Sequence, residues 1–99
     1  MPEWVYVIRP ACEGFKTEQT EEEQSIMAEH FGYLKRLFDD GKLTLAGPAL
    51  DTTFGIVVFE AEGEDAATEI MNSDPAVIHG VMNATVHPFR SSLMRGRDT

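Results

Sequence analysis

The chain has 99 residues, of which 42% are hydrophobic and 25% charged, proportions that are ordinary for a small globular domain. Its 17 acidic and 8 basic residues give a net charge of −9. This balance argues against nucleic acid and against an anionic membrane surface as partners, because both attract clustered Lys and Arg. Residues 1–99 are therefore predicted to form a single domain, with residues 91–99 as a flexible tail.

The amino terminus and the cysteine content together predict a cytoplasmic protein. The first residues lack the basic and apolar regions of a signal peptide. No stretch approaches the roughly 20 apolar residues that cross a membrane. Cys12 is the single cysteine, so no disulfide can form within the chain.

The first part of the chain predicts a strand followed by a long helix. Residues 3–9 are β-branched and aromatic, as in a strand, and residues 10–19 have the composition of a loop. Thr20 and Glu23 have the spacing of a capping box, which begins a helix. Gly41 is placed to end that helix as a glycine cap.

The remainder of the chain predicts three strands and a second helix. In chain order these are a strand over residues 43–50, a strand over 54–61, a helix over 64–72 and a strand over 81–90. Pro48 cannot donate to a ladder, so the first of these strands is predicted to lie at a sheet edge or to contain a bulge. Asp74-Pro75 opens a further helical turn before the last strand.

This order is β-α-β-β-α-β, the α+β ferredoxin-like arrangement with an antiparallel sheet. The first and third strands are apolar at consecutive positions, over residues 4–8 and 56–59, which is typical of strands buried on both faces. Two helices can cover only one face. We therefore predict a homodimer that packs sheet against sheet. The alternative is that twist and loops cover the second face within a monomer.

His30 is the first candidate for chemistry, since it shares the apolar stripe of the long helix with Ile26, Leu34 and Leu37. An imidazole titrates near neutrality and can serve as a general acid or base. The alternative is a buried neutral His that is bonded to one backbone carbonyl.

Asp74 is the second candidate. Asp followed by Pro is typical of a purely local helix start, in which Asp caps the helix and Pro75 fills its first position. The functional alternative is that the carboxylate holds the Nδ1–H of His30 and stabilises the imidazolium. The two interpretations are compatible, because a carboxylate has two oxygens.

Four more residues are candidates for substrate binding. Gly47 and Pro48 are predicted to form a backbone bulge of the kind often found beside active sites. Tyr33 has a phenol that can donate to a ligand, although a bridge between core and solvent explains it equally. Arg9 can pair with an anionic substrate, and the alternative is an ordinary surface salt bridge.

No metal, cofactor or reactive thiol is predicted. His79 and His87 lack the local spacing that is typical of zinc ligands. Cys12 has no second cysteine to form a Cys-x-x-Cys motif. The chain contains neither a Gly-rich phosphate loop nor a dinucleotide fingerprint.

Taken in order, several pieces of the sequence resemble the YciI-like (YCII-related) family. The pieces are His30-Phe31-Gly32-Tyr33-Leu34, Gly41-Lys42-Leu43, Ala46-Gly47-Pro48, Gly55-Ile56-Val57-Val58, Glu64-Asp65-Ala66-Ala67, Asp74-Pro75 and Val86-His87-Pro88-Phe89. The resemblance spans about residues 3–90. It implies a dimeric α+β barrel with a His and an Asp facing a cleft as the catalytic pair, and this pair falls on His30 and Asp74.

The resemblance implies little about the substrate. One branch of the family resembles lyases that remove halide from hydroxylated aromatic rings. The segment between Arg9 and Thr20 is longer and more charged here than in the usual pattern, so a substrate cannot be carried over.

The sequence thus predicts a cofactor-independent small-molecule enzyme of lyase or isomerase type with a His30–Asp74 dyad. A non-catalytic dimeric module that binds a small ligand or a partner protein is the main alternative. A weaker one is a monooxygenase-like relative on the same barrel fold.

Overall fold

The computed structural model describes residues 1–11 and 19–96. Its elements, in chain order, are β1 (Glu3–Pro10), α1 (Glu21–Asp39), β2 (Leu43–Pro48), β3 (Gly55–Glu60), α2 (Glu64–Asn72), α3 (Pro75–Ile78) and β4 (Met82–Phe89). The predicted α+β order is confirmed, with α3 as the extra helical turn. Cys12, most of the loop predicted over residues 10–19 and the last residues of the tail, 97–99, lie outside the described residues.

The four strands form one antiparallel sheet in the order β2-β3-β1-β4. The predicted edge position of β2 is confirmed. The predicted bulge at Gly47-Pro48 is wrong, because the register shift in β2 lies between Leu43 and Leu45. Gly47 and Pro48 instead pair regularly with β3, and Pro48 ends the strand where its missing N–H costs no ladder bond.

Local signals fix both ends of α1. The Thr20 side chain accepts from the Glu23 backbone N–H at 3.1 Å, and the Glu23 carboxylate accepts from the Thr20 N–H at 2.9 Å. At the other end Asp40 is the cap, and Gly41 follows it with φ 79°, a conformation that favours glycine. The predicted capping box and glycine end are both present.

The core lies between the three helices and one face of the sheet. On that face, β1 contributes alternate side chains that are all buried: Trp4, Tyr6 and Ile8. Small residues let the short helices approach closely, since Ala67 on α2 and Ala76 on α3 are both 0% exposed.

The second face of the sheet is also apolar at its centre. Val5 and Val7 of β1 lie opposite Val58 and Ile56 of β3, and Val58 is only 2% exposed. The chain after β4 turns back to this face, where the Ser91 N–H and hydroxyl donate to the Glu3 carboxylate at 2.9 and 2.6 Å. The beginning of the predicted tail therefore contacts the sheet.

None of the helices within the described ranges combines the length and the apolar content needed to cross a bilayer.

Candidate active site

Asp74 begins the short helix α3 and lies completely inside the protein. Its Oδ1 accepts from the Ala76 backbone N–H at 2.9 Å, and Pro75 occupies the first helical position. This is the local capping arrangement that the sequence predicts. The side chain is nevertheless 0% exposed, so its carboxylate requires further donors within the protein.

His30 supplies one of those donors from the middle of α1. Its Nδ1 lies 2.8 Å from Oδ1 and 2.7 Å from Oδ2 of Asp74. The ring is largely buried, at 8% exposure. Of the two environments foreseen for His30, the structure shows the carboxylate and not a backbone carbonyl.

Tyr6 supplies another donor from the centre of β1. Its hydroxyl donates to Oδ2 of Asp74 at 2.7 Å, and its side chain is 0% exposed. Sequence reasoning placed Tyr6 in a strand and assigned it no role. The available signal was a tyrosine alternating with Trp4 and Ile8 on the buried face, since a buried phenol needs a hydrogen-bond partner.

The phenol of Tyr6 acts only as a donor in this group. Burial, and then the nearby Asp74 charge, raise the pKa of Tyr6 well above its ordinary value, so the hydroxyl keeps its proton. Asp74 is therefore held by the Tyr6 hydroxyl, the Ala76 N–H and the His30 ring. All three stabilise the charged form of a carboxylate that would be costly to bury alone.

The contact with Asp74 also fixes which nitrogen of His30 is available. A carboxylate only accepts hydrogen bonds, so Nδ1 carries the proton in the contact. In the neutral ring Nε2 is then the unprotonated nitrogen, and it has no hydrogen-bond partner among the described residues. His30 can therefore accept a proton at Nε2 while Asp74 stabilises the resulting imidazolium.

A cleft of about 800 Å³ opens beside His30. One wall is α1, the other is β2 with the turn that follows it, and the floor is the buried face of the sheet. Gly47 and Pro48, two of the predicted substrate-binding residues, line the cleft together with His30. Asp74 lies behind His30 and is not part of the lining.

Arg9 and Tyr33 lie away from the cleft, and their role in substrate binding stays a prediction. Neither lines the cleft. Arg9 is exposed near the end of β1, opposite Asn83. The Tyr33 hydroxyl donates to the Ile70 carbonyl at 2.6 Å and so ties α1 to α2. Partial burial and the charge of Asp74 raise the pKa of Tyr33 to about 12.

The other histidines are separate from this group. His87 Nε2 lies 3.0 Å from the Thr85 hydroxyl on β4, and His79 is exposed at the end of α3. Within the described part of the chain, no three side chains of His, Cys, Asp or Glu gather where they could hold a metal ion.

Comparison with known proteins identifies the family. The model of the YCII-related domain matches residues 5–90. The chain belongs to this family. A relative with the name YjpA, from Bacillus subtilis (strain 168), is 33% identical over 75 residues, which cover 76% of this chain and 86% of YjpA.

Two solved structures share the fold of this YCII-related chain. One is the 5-chloro-2-hydroxyhydroquinone dehydrochlorinase TftG from Burkholderia phenoliruptrix AC1100, in complex with 2,5-dihydroxybenzoquinone. It has a TM-score of 0.67 and 22% identity, with 88% of this chain and 93% of TftG covered. The other is a muconolactone isomerase, with a TM-score of 0.70, 12% identity, and 98% and 99% of the two chains covered. At these identities the likeness shows a common α+β fold.

Proposed function

We propose that this protein is a small-molecule enzyme of lyase or isomerase type in which His30 transfers a proton. The observation that carries the proposal is the 2.7 Å contact between His30 and a fully buried Asp74, at the wall of an 800 Å³ cleft. A carboxylate that orients a histidine and leaves its second nitrogen free is the usual arrangement of a general base.

In the proposed reaction, Nε2 of His30 removes a proton from a carbon next to a carbonyl group, or from a hydroxyl group of the substrate. The electron pair that is left moves into the substrate. Asp74 stabilises the imidazolium that forms. Return of the proton to a second atom of the substrate completes an isomerisation. In an elimination, that electron pair forms a new π bond, and the leaving group departs with the pair of the bond that breaks.

The relatives support this class of reaction. TftG is by name a dehydrochlorinase and the second structural neighbour an isomerase. A single group that removes a proton from the substrate can begin either an elimination or an isomerisation. Neither step transfers electrons to or from the enzyme, so the proposal includes no redox cofactor and no metal.

A homodimer and a cytoplasmic location are part of the proposal. The apolar centre of the second sheet face, with Val5 and Val7 against Val58 and Ile56, supports sheet-to-sheet packing of two copies. The α1 wall of the cleft, which carries His30, lies on the helix side of the sheet, away from this packing.

A non-catalytic ligand-binding module is the second candidate. It is favoured by the apolar character of the cleft, which would hold a ligand whether or not His30 reacts with it.

The test is a panel of lactones and of hydroxylated and halogenated aromatics, assayed with the wild type and with His30→Gln. His79→Gln is the matched control, because His79 is exposed and does not line the cleft. The proposal expects turnover that His30→Gln abolishes and His79→Gln preserves. Turnover that survives His30→Gln unchanged would exclude the dyad, and binding without turnover would favour the ligand-binding module.

A further inference from the structure

We infer that the cleft binds an uncharged, mainly apolar molecule larger than a single six-membered ring, and that it discriminates against carboxylates. This inference deepens the proposed function and rests on it for one point, that the reacting end of the ligand faces His30.

The charges around the cleft carry the first part of the inference. Among the described residues that line it, Lys35 is the only one with a permanently charged side chain. Its ammonium group lies 2.8 Å from the Asp39 carboxylate, so the charge is already offset. The net charge of the whole chain is −9. An anionic ligand would therefore enter a repulsive field and lose water without gaining an unpaired cation.

The apolar residues at the mouth carry the second part. Phe31, Phe38 and Leu50 line the cleft and are 68%, 57% and 96% exposed. Large apolar side chains grouped at the opening of a cleft commonly mark a binding site, because an apolar ligand removes them from water. Such a ligand would extend from His30 out to this rim.

The size of the cleft carries the third part. A dry cavity of about 150 Å³ is enough to hold benzene. The cleft is about 800 Å³, which lies within the range of sites that hold drug-sized molecules. A single ring would leave most of the apolar wall in contact with water. Two fused rings, or one ring with an apolar substituent, fit it better.

The experiment compares ligands that share one carbon frame. 2-Naphthol is neutral at pH 7, because an ordinary phenol has a pKa of about 10, whereas 2-naphthoate is charged, because a carboxylic acid has a pKa of about 4. Phenol is the single-ring control. Binding is measured by titration calorimetry with the wild type and with His30→Gln. We expect 2-naphthol to bind about tenfold tighter than either 2-naphthoate or phenol.

Two pairs of variants locate the binding. Phe31→Ala should weaken 2-naphthol binding about fivefold, while Ile78→Ala, which is 62% exposed and outside the cleft, should leave it unchanged. Asp39→Asn frees Lys35 and should tighten 2-naphthoate binding about twofold, the scale of an exposed ion pair. Asp40→Asn removes a negative charge at the next position, which is also exposed. It should leave 2-naphthoate binding unchanged.

Equal or tighter binding of 2-naphthoate would overturn the inference, as would the absence of 2-naphthol binding. Light scattering at the same protein concentrations tests whether a second copy of the chain occupies the cleft instead. If 2-naphthol binding weakens as the mass rises, a second copy of the chain fills the cleft and the inference fails. Failure of the proposed function would look different. 2-Naphthol would still bind more tightly than 2-naphthoate, but no substrate would be turned over.

Discussion

The Tyr6 hydroxyl donates to Oδ2 of Asp74 at 2.7 Å, although 68 positions separate the two residues in the chain. Both side chains are 0% exposed. The phenol approaches from the sheet, the Ala76 N–H from α3 and the His30 ring from α1, so three elements converge on one carboxylate. This convergence makes Asp74 both a structural centre and the orienting partner of His30.

Tyr6→Phe should lower the turnover rate as well as the stability. Loss of one hydrogen bond to a buried carboxylate should lower the free energy of unfolding by about 1 to 2 kcal/mol. Without the phenol, the Asp74 carboxylate loses the donor that approaches from the sheet, so it is held less firmly and orients the His30 ring less well. Urea unfolding and steady-state kinetics of the same samples test both effects.

Tyr33→Phe is the control for that variant, because it also removes a phenol but leaves the donors of Asp74 in place. An identical loss of turnover in both variants would show that Tyr6 has no specific influence on the dyad.

His30→Gln should lower the turnover rate by about a hundredfold or more, the usual contribution of a positioned general base. Stability should change by only about 1 kcal/mol, since an amide can still donate to Asp74. Steady-state kinetics and urea unfolding of the same samples separate the two effects. A large loss of stability with normal activity would assign His30 to the structure alone.

Two substitutions of Asp74 should separate folding from catalysis. Asp74→Ala removes the acceptor of three buried or partly buried donors and should cost about 3 to 5 kcal/mol of unfolding free energy. Asp74→Asn keeps an oxygen for the Ala76 N–H, so it should cost less. Its amide would face His30 with a donor and favour the other tautomer, so activity should still fall strongly. A fully active Asp74→Asn variant would contradict the role of Asp74 in orienting His30.

The two tyrosines should both resist ionisation in the folded protein. The pKa of Tyr33 is raised to about 12 and that of Tyr6 higher, whereas both should titrate at about 10 in the unfolded chain. The folded state therefore holds more protons than the unfolded state above about pH 10. The stability contributed by the phenols is complete below that pH and is lost as the pH rises towards 12.

Tyrosinate absorbance, measured in buffer and in denaturant, tests this expectation. Tyr33→Phe should remove the lower of the two folded-state titrations. Tyrosinate that forms near pH 10 in the folded protein would contradict the burial of both phenols.

Val7→Lys should convert the predicted homodimer into a monomer. Val7 lies at the centre of the second sheet face between Ile56 and Thr85, so a charge there would be buried by a facing sheet. Glu62→Lys, in the exposed turn between β3 and α2, is the control and should leave the mass unchanged. Light scattering of the wild type and both variants gives the result. A wild-type monomer would exclude the dimer.

The ends of α1 and the edge position of β2 could be predicted because short-range chemistry decides them. Thr20 and Glu23 cap a helix through bonds that span three residues, and Pro48 restricts β2 through its own missing N–H. The approximate order of strands and helices follows from the period of the apolar residues.

The site could be predicted only in part. His30 and Asp74 stood out because a polar residue on an apolar stripe and an Asp-Pro pair are visible in the sequence. Tyr6 did not, because a strand tyrosine reveals its partner only when the sheet and α3 come together. The positions of Arg9 and Tyr33 outside the cleft could not be predicted for the same reason, since no local pattern indicates which side chains face a cleft.

By itself, then, the sequence determined the caps, the order of the elements and the presence of two unusual polar residues, all of which depend on neighbours a few positions away. Only the tertiary structure decided that Tyr6, His30 and Asp74 meet and that Lys35, which is paired with Asp39, is the one permanent charge among the described residues that line the cleft. Those contacts join residues far apart in the chain, and burial in a low-dielectric interior then determines which protons each group holds.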